Sequence, residues 1–305
     1  MSRRRPAGRD LTGIVLLDKP SGLSSNQALQ QVKRLFRARK AGHTGSLDPL
    51  ATGMLPICFG AATRISPFLL DADKSYRTVA RLGEATDTGD AEGAVIRQCP
   101  VPAIDAAKIE KVLNRFRGEI EQVPPMYSAL RHKGQRLYEL ARQGKTVERP
   151  ARRVTIHRLE LRAWCATELE LDVRCSKGTY IRTLVEDIAS ALGCCAHVTL
   201  LRRTTVHPFE DQPMMTLERL QALAADGPAI LDGALLPTDA GLAHWPAVLL
   251  DEDETRRVIQ GQTVARSELP GAQWIRMYSS DREFLGIAQG KGGRLAPKRL
   301  FAKPV

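Results

Sequence analysis

An α+β fold is predicted by three features of the sequence. Segments of helical spacing and segments of strand alternation are interleaved through most of the chain. The stretch Glu168 to Cys175 alternates without a break. After Leu236-Pro237 the composition shifts to short strand-like pieces separated by Gly and Pro. Gly13 to Leu17 is an apolar run ending at Asp18-Lys19-Pro20, a strand stopped by Pro. Ser24 or Ser25 then caps a helix with Ala28, Leu29, Val32, Leu35 and Phe36 on one face. Its other side carries Lys33, Arg34 and Arg37, with Arg39 and Lys40 following.

The segment Gly42 to Gly60 holds four Gly and two Pro among apolar residues, which reads as loop chemistry held against a core. Ser75 to Leu82 reads as a strand, and Asp105 precedes a helix with Ile109, Val112, Leu113 and Phe116 on one side. From Pro124 to Lys145, Arg131, Lys133, Arg136, Arg142 and Lys145 stand against one acid, Glu139, with Tyr127 and Tyr138 among them. A basic, aromatic-bearing insertion of this kind suits an RNA-gripping arm. In Glu168 to Cys175, Leu169, Leu171, Val173 and Cys175 share one face, so the strand is half buried. It turns at Ser176-Lys177-Gly178 into a helix whose Ile181, Leu184, Val185, Ile188 and Leu192 face inward. Val198 to Val206 is read as a further strand and Thr216 to Leu223 as a short helix. The remainder is a small β-rich module; at ~60 residues it is marginal alone and is expected to pack on the main domain.

Length and charge narrow the function. A chain of 305 residues makes one large domain, or a larger and a smaller one, and 43% hydrophobic with 26% charged residues is the balance of a globular protein. The net charge of +11 and a pI near 9.6 favour a polyanionic partner. Nucleic acid leads over an anionic membrane, because no basic amphipathic helix has an aromatic apolar face. No apolar run reaches the ~18 residues of a membrane span, and the Arg-rich start (Arg3, Arg4, Arg5, Arg9) lacks the apolar stretch of a signal peptide. A cytoplasmic protein is expected. Cys58, Cys99, Cys165, Cys175, Cys194 and Cys195 include no CxxC spacing. Neither a disulfide framework nor a zinc knuckle is indicated, and free thiols, several of them buried, are expected.

The informative stretch runs from Ala41 to Pro56, AGHTGSLDPLATGMLP. It is no phosphate-binding loop, and no GxGxxG fingerprint follows the first strand, so nucleotide cofactors drop out. An Asp in a Gly-rich, apolar loop is either a turn-maker or a carboxylate held partly out of water for use, and residue chemistry leaves both open.

The stretch AGHTGSLDPLATGMLPICFG is similar to the catalytic motif of the TruB family of tRNA pseudouridine synthases. The likeness continues through GIVLLDKPSGLSSN, DKSYRTVARLGEATDTGDAEG, QVPPMYSALRHKGQRLYELARQG, CSKGTYIRTLVEDIA and AHVTLLRR, in family order, over residues 13 to about 206. Beyond about residue 245 it weakens, although RLAPKRLF resembles the end of a PUA-type RNA-binding module. Ser46, where the family usually has Ala, and Cys195, where Gly is more common, depart from the pattern without touching a polar group the chemistry requires.

The resemblance implies a pseudouridine synthase fold: a central mixed, largely antiparallel sheet flanked by helices, plus a β-rich PUA-like module. Residues 10–240 would form the catalytic domain, with the basic insertion at about 124–150, and residues 245–305 the PUA-like module. The implied activity is isomerisation of a tRNA T-loop uridine, position 55, by base flipping. The partner would be the T-arm and elbow of tRNA. No metal, cofactor or guide RNA would be needed, and the chain would act as a monomer. Alternatives are a non-catalytic RNA-binding or tRNA-folding protein and a guide-RNA-dependent synthase related to dyskerin.

By resemblance Asp48 is the catalytic carboxylate and Arg182 its cationic partner, although an Arg at a helix start otherwise faces solvent. Tyr76 would stack on the uracil and receive the C5 proton, where a strand Tyr is otherwise a core aromatic. His43 would fill space vacated by the flipped base, Tyr180 and Leu200 would line the site, and Lys19 and Pro20 would support the active-site loop.

Overall fold

The computed structural model describes residues 8–266 and 273–301; Arg3, Arg4 and Arg5 of the basic start lie outside them. In chain order the elements are β1 (Gly13–Lys19), α1 (Ser25–Leu35), β2 (Ala41–His43), β3 (Thr52–Phe59), α2 (Ser66–Asp71), β4 (Lys74–Leu82), β5 (Glu84–Thr86), β6 (Val95–Gln98), α3 (Ala106–Leu113) and β7 (Gly118–Gln122). There follow β8 (Arg131–His132), β9 (Gln135–Arg136), α4 (Leu137–Arg142), β10 (Arg152–Trp164), β11 (Glu168–Cys175), α5 (Ile181–Leu192), β12 (Ala196–Val206), α6 (Leu217–Ala225) and α7 (Pro228–Asp232). The last are β13 (Ala247–Leu249), α8 (Glu252–Ile259), β14 (Val264–Ala265), β15 (Trp274–Tyr278), β16 (Phe284–Lys291) and β17 (Arg294–Leu300).

Eight strands form the main sheet in the order β1-β3-β12-β4-β11-β10-β7, with β2 paired to β3. Every pair is antiparallel except β12 with β3, so the sheet is mixed and largely antiparallel. Helices α1, α3, α5 and α6 cover one face. Val15 and Leu17 of β1 point there, into the larger core with Leu29, Val32, Leu184 and Val185. Ile14 and Leu16 point the other way, into a second core with Met54, Ile65 and Leu69. The helix starts follow from their caps. Ser24 and Gln27 form a reciprocal capping box on α1, and Asp105 accepts from the N–H of Lys108 on α3.

Gly42 to Gly60 is not loop throughout. β2 and β3 occupy both ends and leave only 44–51 as loop, because Met54 to Phe59 are buried between β1, β2 and β12 and their backbone groups must be paired in the sheet. Nor are all six cysteines free. Cys58, Cys165, Cys175 and Cys194 are, but Cys99 and Cys195 form a disulfide, with Cα atoms 6.1 Å apart. The backbone brings them together. Gly83 donates to the Cys195 carbonyl while the Cys99 N–H donates to Gly83.

The basic insertion is a short hairpin, β8–β9, followed by α4, with the guanidinium groups of Arg136 and Arg142 each over the Tyr138 ring, 5.8 and 5.5 Å from its centre. The C-terminal sheet has the order β13-β15-β16-β17-β14. Its Ile287, Trp274, Phe284 and Phe301 join the second core of the main sheet, where Phe68 meets Trp245 and Trp274 edge-on. Among the described residues no helix is long and apolar enough to cross a membrane.

Candidate active site

The 44–51 loop is fastened at several points before any catalytic group is considered. The Ser25 hydroxyl accepts from the Leu47 N–H at 2.7 Å and donates to the Leu47 carbonyl at 3.0 Å. The Gly22 N–H donates to the Pro49 carbonyl, and Thr44 to that of Pro56. Lys19, at the end of β1, is fully buried; its ammonium donates to the carbonyls of Pro20, Leu23 and Pro49 at 2.8, 2.6 and 3.2 Å. Burial pushes this amine down to about 8, against the opposing pull of Asp48. Pro20 contributes a carbonyl to this knot, and its ring ends the strand.

The loop presents Asp48 to Arg182 on the first turn of α5. Arg182 Nε lies 3.0 Å from Asp48 Oδ2, and the Arg182 side chain is 5% exposed while that of Asp48 is 39% exposed. Both terminal nitrogens of the guanidinium are also engaged: Nη1 donates to the Thr88 carbonyl at 2.6 Å and meets Asp90 Oδ2 at 3.4 Å, and Nη2 donates to the Tyr127 carbonyl at 2.7 Å. The Arg is thus locked in one rotamer with one edge offered to Asp48. Desolvation raises the Asp48 carboxyl above the usual range. Arg182 is the strongest opposing influence, while Asp90 adds to the rise. A carboxylate held by one cation and open on its other side suits nucleophilic or basic attack on a bound substrate.

Tyr76 on β4 is buried, and its phenol is raised by burial, with the neighbouring Arg203 pulling the other way. His43 ends β2, half buried; burial and then Arg203 push its imidazole below the ordinary range, which leaves it neutral at neutral pH. Its Nδ1 makes no hydrogen bond within the described residues. Tyr180 precedes α5, and its ring is covered by the Arg152 guanidinium at 4.7 Å.

Leu200 does not join this group. It pairs with Val79 on β4, whereas Tyr76 pairs with Arg203 and Thr78 with Leu201. Paired residues share a face and alternate residues share a pleat, so Leu200 lies on the side of the sheet away from Tyr76, and it is 44% exposed. Leu201, buried in the core that contains Tyr76, holds the position expected of Leu200. The reason is a bulge between Val198 and Leu200, which reverses the alternation of β12.

Sequence reasoning missed three polar residues that build the site. Asp90, 5% exposed, is the second acid on Arg182; its side chain also accepts from the Thr88 hydroxyl at 2.7 Å. Gln122, buried at the end of β7, clamps the backbone of Tyr180 by accepting from its N–H at 3.0 Å and donating to its carbonyl at 3.2 Å. Arg203 lies beneath the loop, donating to the Met54 carbonyl at 2.6 Å and to that of Gly45 at 3.1 Å. The one available signal was the density of charged and polar residues in DTGDAEG and LLRR, both within the matched blocks.

The TruB family pseudouridylate synthase N-terminal domain matches residues 33–181, the tRNA pseudouridylate synthase B C-terminal domain residues 182–243, and the pseudouridine synthase II TruB C-terminal family residues 246–301. The tRNA pseudouridine synthase B of Sodalis glossinidius is 54% identical, covering 100% of this chain and 99% of that one. That of Pseudomonas aeruginosa is 52% identical, covering 99% of each. Among solved structures, a Cbf5-Nop10-Gar1 complex aligns with a TM-score of 0.75 and 25% identity, covering 96% of this chain and 85% of the other. An H/ACA RNP bound to a substrate RNA containing 2'-deoxyuridine shares the fold with a TM-score of 0.75 at 21% identity, covering 99% and 92%. A full-length match at such identity, with all three family segments in order, makes this chain a member of the TruB family of pseudouridylate synthases.

Proposed function

We propose that the protein isomerises a uridine in the T-loop of tRNA, at position 55, to pseudouridine, with Asp48 as the catalytic carboxylate and without guide RNA, metal or cofactor. The observation that carries this is the Asp48 carboxylate, held at 3.0 Å by a buried Arg182 whose two terminal nitrogens are anchored on Thr88, Asp90 and Tyr127. The reaction breaks the N1 to C1′ bond, turns the uracil and joins C5 to C1′. Both bonds belong to one nucleotide, so nothing is added or lost and a carboxylate acting at the sugar suffices. A base stacked in a folded loop must first be extruded, at a cost of a few kcal/mol. Stacking on an aromatic ring returns ~1 to 3 kcal/mol per base. Phosphate contacts from the basic arm and the exposed side of α1 supply the rest. Tyr76 and His43, beside the loop, are assigned to the flipped base and the space it leaves.

A second reading is guide-dependent modification, in a chain whose fold is shared with a Cbf5-Nop10-Gar1 complex. One experiment separates them. Pure protein is incubated with an unmodified tRNA transcript, and pseudouridine is mapped by carbodiimide adducts and primer extension. Product at the T-loop uridine with no other RNA present supports the proposal. Absence of product until a guide is added would reverse it.

A further inference from the structure

The molecule buries four basic side chains near the loop: Lys19, Lys74, Arg182 and Arg203. Three of them are accounted for locally. Arg182 meets Asp48 and Asp90, and the two lysines are wrapped in carbonyls and lowered to about 8. Arg203 is different. It is among the most completely buried large side chains of the protein, at 1% exposure, yet no carboxylate lies within ion-pair distance of it among the described residues. Its neighbour Arg202 takes Asp18 in a two-point pair at 2.9 and 2.8 Å on the opposite face of β12. A buried, uncompensated guanidinium is costly, and its retention calls for an account.

Its surroundings supply one. Its Nε and Nη2 hold the Met54 and Gly45 carbonyls on either side of Asp48. Gly45 lies so near that a Cβ there would be 3.7 Å from Nη1. The Arg203 backbone is equally close to the loop: a Cβ on Gly53 would fall 2.2 Å from the Arg203 carbonyl oxygen, so only glycine fits at φ +98°. Across the sheet Arg203 is the direct antiparallel partner of Tyr76, on the same face. One cation therefore stands between the loop bearing Asp48 and the phenol of Tyr76.

We propose that Arg203 is a positioning residue for the isomerisation, fixing the floor of the Asp48 loop while placing its guanidinium beside the Tyr76 phenol, where it favours the phenolate that takes the C5 proton. A guanidinium has only donors, so it meets the phenol at its oxygen and favours negative charge there, and the proton taken from C5 restores the neutral hydroxyl. The proximity also opposes the effect of burial on the phenol, which is the direction found for Tyr76. This inference rests on the activity proposed above, and the test keeps the two apart.

Arg203→Gln and Arg203→Lys are made in the parent and in a Tyr76→Phe background. Single-turnover tritium release from uracil C5, tRNA binding and thermal melting are measured for each. Arg203→Gln is expected to slow single turnover by ~10- to 100-fold, the scale of a lost charge-assisted hydrogen bond, with binding little changed. The loss should shrink to about threefold or less without the Tyr76 hydroxyl, as a double-mutant cycle shows for coupled groups. Arg203→Lys should recover part of the rate. Independently of activity, 3-fluorotyrosine at Tyr76 is titrated by fluorine NMR, and its midpoint should rise when Arg203 becomes Gln. If Arg203→Gln fails to fold, the lysine variant carries both measurements, with a smaller rate loss and a shifted fluorine resonance. Equal losses in the two backgrounds, or an unmoved resonance, would reduce Arg203 to a structural residue and overturn the proposal. An inactive parent with a shifted resonance would instead count against the proposed activity alone.

Discussion

Replacing Arg182 with Met removes the cation from between two acids, and the consequences differ for each. Asp90 is as buried as the Arg, so it loses its only ion pair among the described residues in a place water does not reach. Breaking a buried pair by removing one partner costs about 3 to 5 kcal/mol. The Thr88 and Tyr127 carbonyls also lose a donor, but this is not added in full because the groups share one network. Asp48, 39% exposed, contributes less because solvent screens it. Set against a stability of about 5 to 15 kcal/mol, the variant folds but melts lower, by roughly 5 to 8 °C for a chain of this size. The chemistry changes through Asp48. Desolvation already raises its carboxyl and Arg182 is the main restraint, so without the Arg the rise is opposed only by the weaker pull of Lys19. Since the ionised form acts, turnover is lost as pH falls through that value, and the acid limb of the variant's profile must move to higher pH. Single-turnover rates from about pH 5.5 to 9, beside a melting curve at each pH, provide the assay. Arg182→Lys keeps the charge but reaches fewer acceptors, so it should restore the acid limb more than the melting temperature. A folded Arg182→Met protein whose acid limb coincides with the parent's would refute the reasoning.

Asp48→Asn should abolish isomerisation while leaving tRNA affinity within about threefold, because affinity comes from dispersed phosphate and stacking contacts; residual pseudouridine at a substantial fraction of the parental single-turnover rate would remove Asp48 from its role. The affinity itself should fall steeply with salt, with a log-log slope of ~0.7 to 0.9 per neutralised phosphate, and Arg142→Ala should flatten it by about one contact; a slope near zero would sink the basic-arm argument. Leu201→Ala should destabilise by about 2 to 5 kcal/mol as a core truncation, whereas Leu200→Ala should stay within ~0.5 kcal/mol; equal melting temperatures would contradict the bulged register of β12.

How much of this was legible beforehand depended on whether a signal was local. β11 and α5 were readable because alternation and helical spacing are properties of adjacent residues. β10, the longest strand at 13 residues, was not read as one. Its buried Val154, Ile156 and Leu159 are out of step because a register shift between Ile156 and Arg158 places two exposed residues in succession. β3 was hidden by Gly53 and Pro56, which are loop residues by type but here lie within a strand buried between neighbours. The bulge in β12 similarly moved the expected Leu200 off the Tyr76 face. Asp48, Arg182 and Tyr76 came from motif resemblance, which residue chemistry left undecided. Asp90, Gln122 and Arg203 gave no comparable sign, because a polar residue destined for burial is recognisable only through partners up to 158 residues away. The Cys99 and Cys195 pair, 96 residues apart, is another such case.

The aromatic seam of Phe68, Trp245 and Trp274 gives the two sheets a shared fate. Trp245 and Trp274 stack at 5.6 Å, and Ile287 of the smaller sheet is buried in the same cluster as Ile14 and Met54 of the larger. Met54 also supplies the carbonyl that Arg203 grips, so one residue belongs both to the seam and to the floor of the catalytic loop. Heat or denaturant that loosens the C-terminal sheet therefore works against the loop as well, and the protein should melt in one cooperative transition. Shortening it to its first sheet would strip Phe68, Ile65 and Met54 of their cover and leave a sticky, less ordered remnant where a smaller catalyst was sought.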